Sequence, residues 1–282
     1  MAELRISVAK DAGFCFGVRD AIEKARETAA RHGKVYMLGD IVHNEHVVTQ
    51  LADENVQVVK SLEEVHDAPV LFRSHGTVPA LWEAARDKGL EIVDATCPLV
   101  HEIHDEIRKL HSEGRKLFII GDHGHDEVVA IQAQVPEAQI VSTVEEAQAL
   151  PRTKRAGVVS QSTQMIENVQ EIISILMMKV FDLRFVNTIC FPTRRNQEQI
   201  RTLAVNNDVM IVIGSHTSAN TKRLVQVART LNENSYQVES AADLNPEWFK
   251  DIESVGISAG ASTPDILIDE VVDSLRTIDP NV

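Results

Sequence analysis

The chain has 282 residues, 44% of them hydrophobic and 25% charged, the composition of a folded protein with one large α/β unit or two or three small domains, not of a disordered chain. Its 28 Lys and Arg against 42 Asp and Glu leave a formal charge of −14, which argues against nucleic acid and anionic membranes as partners. The apolar runs are too short to span a bilayer and no export signal leads the chain, so the cytoplasm is the expected location, and three cysteines there do not suggest a disulfide framework.

In chain order, the predicted elements repeat three times. Residues 1–8 read as a strand. Cys15 then precedes a helical stretch and an apolar run that ends at Gly39; Cys97 leads in the same way to Gly121, and Cys190 to Gly214. Each interval is 24 residues. Four residues past each glycine stand His43, His125 and Ser218, and six past stand Glu45, Glu127 and Asn220. A second strand then leads to a helix start, with Ser61 and Glu64, Ser142 and Glu145, or Ser240 and Asp243 spaced as capping boxes. A third strand closes each repeat at 70–72, 157–159 and 255–258. A polar tip follows: Ser74-His75-Gly76, Gln161-Ser162-Thr163, or Gly260-Ala261-Ser262-Thr263.

Short apolar strands alternating with amphipathic helices predict parallel α/β sheets, with ligands at the carboxyl ends of the strands. The repeat predicts three small parallel-sheet domains at 1–96, 97–189 and 190–282, the last with a C-terminal helix. Placed around a pseudo-threefold axis as a trefoil, they would bring the cysteines and polar tips to one central site.

Each cysteine precedes a predicted helix, where the helix dipole favours the thiolate that ligates metal. Zinc or an iron–sulfur cluster would satisfy three thiolates. The Cys-x-x-Cys pairs common in structural zinc sites do not occur, and three ligands on a cubane cluster leave one iron open. His43, His75, Ser218, Asn220 and Ser262 offer hydrogen-bond donors, several at predicted helix N-termini, which suits a phosphate or diphosphate. No Walker-type glycine loop is present, so a nucleotide is a weaker reading. His125 with Glu127 makes a plausible proton source. His32, His66, His101, His104, His111 and His123 have no repeat-equivalent polar partner and read as ordinary surface or core histidines.

These stretches, in this order, resemble the 4-hydroxy-3-methylbut-2-enyl diphosphate reductase family (LytB/IspH). The likeness runs from about Val8 to Pro264 through Gly13-Phe14-Cys15, Val42-His43-Asn44, Ser74-His75-Gly76, Asp94-Ala95-Thr96-Cys97-Pro98, Gly124-His125-Asp126-Glu127-Val128, Gln161-Ser162-Thr163, Cys190 with Thr193 and Gln197, Ser218-Ala219-Asn220 and Ala259 to Pro264. The resemblance implies reductive removal of the hydroxyl of an allylic alcohol diphosphate. Two electrons and two protons release water and give isopentenyl and dimethylallyl diphosphates, the last step of the methylerythritol phosphate route. It further implies a 4Fe–4S cluster on Cys15, Cys97 and Cys190 with one open iron, Glu127 as proton donor, and His43, His75, Ser218, Asn220 and Ser262 on the diphosphate. His125 and Thr163 match positions that bind substrate and support proton delivery. Reduced ferredoxin or flavodoxin is the implied electron donor. Four positions depart from the family pattern: Asp126 stands where proline is common, Ser162 and Ala219 where threonine and serine are, and Asn196 where arginine is, with Arg195 one residue earlier.

Two other readings compete. One is a different three-cysteine cluster enzyme, a dehydratase or a quinolinate synthase-like protein; the other is a non-catalytic metal protein that senses redox state. Glu127, Thr163 and Asn220 together weigh against both.

Overall fold

The computed structural model describes residues 4–278; the first three residues of the expected N-terminal strand, and 279–282 at the end of the third repeat, lie outside the described residues. The strands form three four-stranded, all-parallel sheets. The first has the order β3 (Val56–Val59), β2 (Val35–Leu38), β4 (Val70–Phe72), β5 (Ile92–Asp94). The second has β7 (Gln139–Val141), β6 (Lys116–Ile120), β8 (Thr153–Ser160), β9 (Val180–Phe185). The third has β11 (Ser235–Val238), β10 (Val209–Ile213), β12 (Ser254–Ala259) and, at its far edge, β1 (Arg5–Val8). The α/β architecture of parallel sheets expected from the repeat is therefore present.

The central strands are short apolar runs buried along their length, as strands covered on both faces must be: every residue of β2, β4, β10 and β12 is buried. The amphipathic segments form the covering helices α1 (Phe16–His32), α2 (Glu45–Asp53), α3 (Pro79–Asp87), α4 (Pro98–Ser112), α5 (Asp126–Gln132), α6 (Val144–Ala149), α7 (Ile166–Lys179), α8 (Phe191–Asn206), α9 (Ala219–Arg229) and α10 (Asp265–Thr277). α4 shows the pattern: Val100, Ile103, Ile107 and Leu110 recur at helical spacing and are buried, with Ile103, Ile107 and Leu110 packed beside Leu117 and Ile119 of β6.

Two details differ from the sequence reading. Each sheet has a fourth strand where the repeat predicted three. β5 is only three residues long and half-buried, and β9 is largely half-exposed, so neither carries a strong apolar run. The fourth strand of the third sheet is β1, from the other end of the chain. The second cap also moves by one residue. Thr143, not Ser142, accepts the helical N–H of Glu146, while Glu146 reaches back to the N–H of Ser142 at 2.7 Å, so the acid three residues on is Glu146 rather than Glu145. Glu64 and Asp243 accept from the N–H groups of Ser61 and Ser240 as expected, although each box caps a single 3-10 turn.

The chain packs as two compact units. One comprises Met1–Phe16, His43–Val47 and Phe191–Val282, so far as these are described, and holds the sheet of β10. The other, Gly17–Val42 with Val48–Cys190, holds the sheets of β2 and β6. No helix among the described residues is long and apolar enough to cross a membrane.

Candidate active site

All three cysteines are half-buried thiols directly before a helix: Cys15 before α1, Cys97 as the N-cap of α4, Cys190 before α8. Pro98 starts α4, where its missing N–H has no partner to lose. One rule fixes their backbones. The N–H of Cys97 donates to the carbonyl of Ser74 at 3.1 Å, that of Cys190 to Ser162 at 2.9 Å, and that of Cys15 to Ala261 at 3.2 Å. Ser74, Ser162 and Ala261 each lie two residues beyond the end of a central strand, β4, β8 and β12. The polar tips predicted from the repeat are thus what seats the cysteines.

The Cys97 thiol is closely approached. A β-carbon on Gly17, in the first turn of α1, would lie 2.6 Å from the sulfur of Cys97, so only glycine fits there. The rings of Phe16 and Phe191 stack with centroids 5.5 Å apart and planes 3° from parallel. Phe16 directly follows Cys15, and Phe191 directly follows Cys190.

In the larger unit, the proposed proton source is held tightly. Glu127 is in the first turn of α5 and 2% exposed. Its carboxylate accepts the backbone N–H of Ser162 at 2.5 Å and the hydroxyl of Ser162 at 2.7 Å. The same Ser162 presents its carbonyl to Cys190, so one residue joins the buried carboxylate to a cysteine. His125 is the N-cap of α5; its Nδ1 accepts the N–H of Glu127 at 3.2 Å, and its ring meets that of His75 edge to face with centroids 5.8 Å apart. The hydroxyl of Thr163 accepts from the Gln161 amide at 3.2 Å, whose oxygen takes the N–H of Asp122.

In the smaller unit, Ser218 caps α9, accepting from the N–H of Thr221 at 3.2 Å, and Asn220 follows in the first helical turn. The amide nitrogen of Asn220 and the hydroxyl of Thr221 are buried with no hydrogen-bond partner. Unpaired buried donors carry a desolvation cost that an incoming anion relieves. Ser262 donates to the carbonyl of His43 at 3.4 Å, and Asn44, beside His43, accepts from Val47 at 3.3 Å at the start of α2. Glu45, the repeat equivalent of Glu127, is exposed, so the buried setting of Glu127 is not repeated at this position.

The structure also locates residues that the sequence left without a role. Ser162 donates twice to Glu127. Arg195 is exposed and pairs with Asp11 at 2.9 Å, whereas Asn196 is buried with an unpaired amide oxygen. Among the histidines read as ordinary, His32, His101, His111 and His123 place a ring nitrogen 3.6, 2.8, 3.0 and 2.9 Å from a carboxylate oxygen of Glu91, Asp94, Glu137 and Glu146. His104 is different: it is buried on α4 with no partner for Nε2, and burial, aided by His101 and Arg108, lowers its pKa to about 4.

A profile of the LytB protein family matches residues 6–276. A 4-hydroxy-3-methylbut-2-enyl diphosphate reductase of Geobacter metallireducens is 42% identical over 277 residues, covering 98% of both chains. The enzyme of the same name from Aquifex aeolicus is 39% identical over 278 residues, with 97% of this chain and 96% of that one covered. A solved structure described as (E)-4-hydroxy-3-methyl-but-2-enyl diphosphate reductase, the terminal enzyme of the non-mevalonate pathway, has a TM-score of 0.71 at 38% identity over 98% of this chain and 100% of that one. The structure of the E-1-hydroxy-2-methyl-but-2-enyl-4-diphosphate reductase of Plasmodium falciparum has a TM-score of 0.94 at 28% identity, covering 99% and 90%. The sheets, the repeated seating of the cysteines and these near full-length matches lead to one conclusion: the chain belongs to the LytB family of 4-hydroxy-3-methylbut-2-enyl diphosphate reductases.

Proposed function

We propose that this chain reduces 4-hydroxy-3-methylbut-2-enyl diphosphate to isopentenyl and dimethylallyl diphosphates, with Cys15, Cys97 and Cys190 holding a 4Fe–4S cluster that keeps one iron open. The observation that carries the reading is the junction at Ser162, which binds Cys190 through its carbonyl and Glu127 through its N–H and hydroxyl. A proton source is thereby tied to a candidate cluster ligand. The donor set fits such a cluster: three thiols at helix N-termini, each seated by the same backbone bond, with a glycine clearing space at the Cys97 sulfur. When bound, the cluster supplies the electrons and the Lewis acidity that an allylic C–O bond needs in order to break.

The chain's own groups do the rest. Glu127 delivers a proton to the departing hydroxyl, and burial keeps bulk water away from it. His125 and Thr163 line the path by which the substrate hydroxyl meets that proton. His43, His75, Ser218, Asn220 and Ser262 hold the diphosphate; the cap at Ser218 and the unpaired amide of Asn220 support this assignment. The diphosphate does not react, so its binding energy orients the alcohol end. Electrons arrive from reduced ferredoxin or flavodoxin in the cytoplasm. The repeats at 1–96, 97–189 and 190–282 each contribute one cysteine.

The test is turnover by anaerobically purified protein with a chemical reductant. The reading requires consumption of the allylic alcohol diphosphate and appearance of both isoprenoid diphosphates. A protein that leaves this substrate untouched while dehydrating a dicarboxylate would refute it.

A further inference from the structure

Arg73 is the first residue after β4, and Asp126 is the first residue of α5, between His125 and Glu127. Their side chains form a two-pronged ion pair, Nη1 to Oδ2 at 2.8 Å and Nη2 to Oδ1 at 2.7 Å, both partners partly buried. Planar, bidentate pairs of this kind fix orientation as well as distance. The pair spans two sheets, joining the tip of β4 to the helix that follows β6. A third strand tip makes room for it: Gly39, after β2, has a φ of 74°, and a β-carbon there would lie 2.8 Å from Nη1 of Arg73. The Asp126 carboxylate also lies within 4.8 Å of a ring nitrogen of His75.

We propose that the Arg73–Asp126 pair positions the start of the proton-delivery helix. The inference rests on the assignment of Glu127 as proton donor. Losing Arg73 loosens the start of α5, where His125 and Glu127 stand. The backbone at this point also suits another device. His125 has φ −68° and ψ 134°, the extended conformation that a following proline requires, and Asp126 occupies the first helical position, which tolerates proline. Proline at 126 would hold the helix start without any partner; asparagine would remove the charge without holding it.

The experiment compares kcat and KM for the allylic alcohol diphosphate in cluster-loaded variants, with thermal melting as a check on folding. In Arg73→Met, kcat falls about tenfold while KM stays within about threefold, since small misplacements of a reacting group are costly. Adding Asp126→Asn leaves kcat low. Adding Asp126→Pro instead restores kcat to within about threefold of the unaltered enzyme. A cavity of about 350 Å³ borders the pair and opens it to ions, so kcat of the unaltered enzyme falls with added salt, while that of the Asp126→Pro single variant does not. This salt comparison stands even if Arg73→Met fails to fold. An unchanged kcat in Arg73→Met, or full recovery of kcat with asparagine, overturns the positioning role. Glu127→Gln is measured beside them: if it turns over normally, the proton-donor assignment fails and takes this inference with it. If it is inactive while Arg73→Met is normal, only this inference fails.

Discussion

At the scale of single residues, the proposed chemistry concentrates on Glu127 and Ser162. A carboxyl group that is 2% exposed and takes two hydrogen bonds from one serine is firmly oriented, because burying a polar group without such partners is costly. Glu127→Gln should therefore retain its iron but lose turnover by about 10²- to 10⁴-fold, checked by iron analysis and single-turnover kinetics. Undiminished turnover would remove Glu127 from its role. Ser162→Ala deletes the hydroxyl and keeps the N–H, so a smaller loss of about tenfold in kcat is expected, with Ser162→Thr close to the unaltered rate because it keeps a hydroxyl. Glu127 was legible in the sequence because the repeat places it at a fixed distance from Gly121. Ser162 was not: it read only as a shorter substitute for threonine, since its partner lies 35 residues away and only the fold brings them together. The departure at Ala219 reads differently once Asn220 and Thr221 are seen: two buried donors without partners remain in the same helical turn.

At the scale of elements, helix starts organise the site. His125 and Ser218 sit where the count from Gly121 and Gly214 placed them, and both cap helices. The cap at Thr143 escaped because adjacent Ser142 and Thr143 are equally good candidates on composition. The contact of α1 with α4 offers a direct test. Gly17→Ala puts a methyl group 2.6 Å from the Cys97 sulfur, so the thiol must move. The expected outcome is a lower iron content per chain after anaerobic reconstitution, with helical content by circular dichroism unchanged. On α4, His104 gives a pH signature. Its pKa near 4 in the folded protein, against 6.5 ordinarily, means that the unfolded chain binds its proton first as pH falls. Stability is thus lost between pH 6.5 and pH 4 and the loss levels off below that, roughly 2 kcal/mol of it between pH 7 and pH 5. Urea unfolding at those two pH values should show this difference, and His104→Leu should largely remove it.

At the scale of the whole molecule, three sheets share one plan: a central pair of strands, two edge strands, and a cysteine shortly after the fourth. The count of 24 residues from cysteine to glycine revealed the plan because each interval spans one helix and one buried strand. It did not reveal that the third sheet borrows β1 from the start of the chain, since a lone four-residue strand carries no sign of its partner. Leu4 packs into the core of that sheet, and Arg5 to Val8 pair with Ser254 to Ile257 of β12. Deleting residues 1–8 should therefore loosen the unit that contains the C-terminal third of the chain, seen as faster proteolytic cleavage within residues 207–278 than within 98–185. Equal protection of both would contradict that coupling.

The account turns on whether Cys15, Cys97 and Cys190 serve one cluster. The decisive measurement is the iron and acid-labile sulfide content of the anaerobically reconstituted protein beside its three Cys→Ser variants. The account predicts a 4Fe–4S complement in the unaltered chain and its loss or collapse in each single variant. A variant that keeps the full complement, or an unaltered chain that takes up zinc and no sulfide, would contradict it.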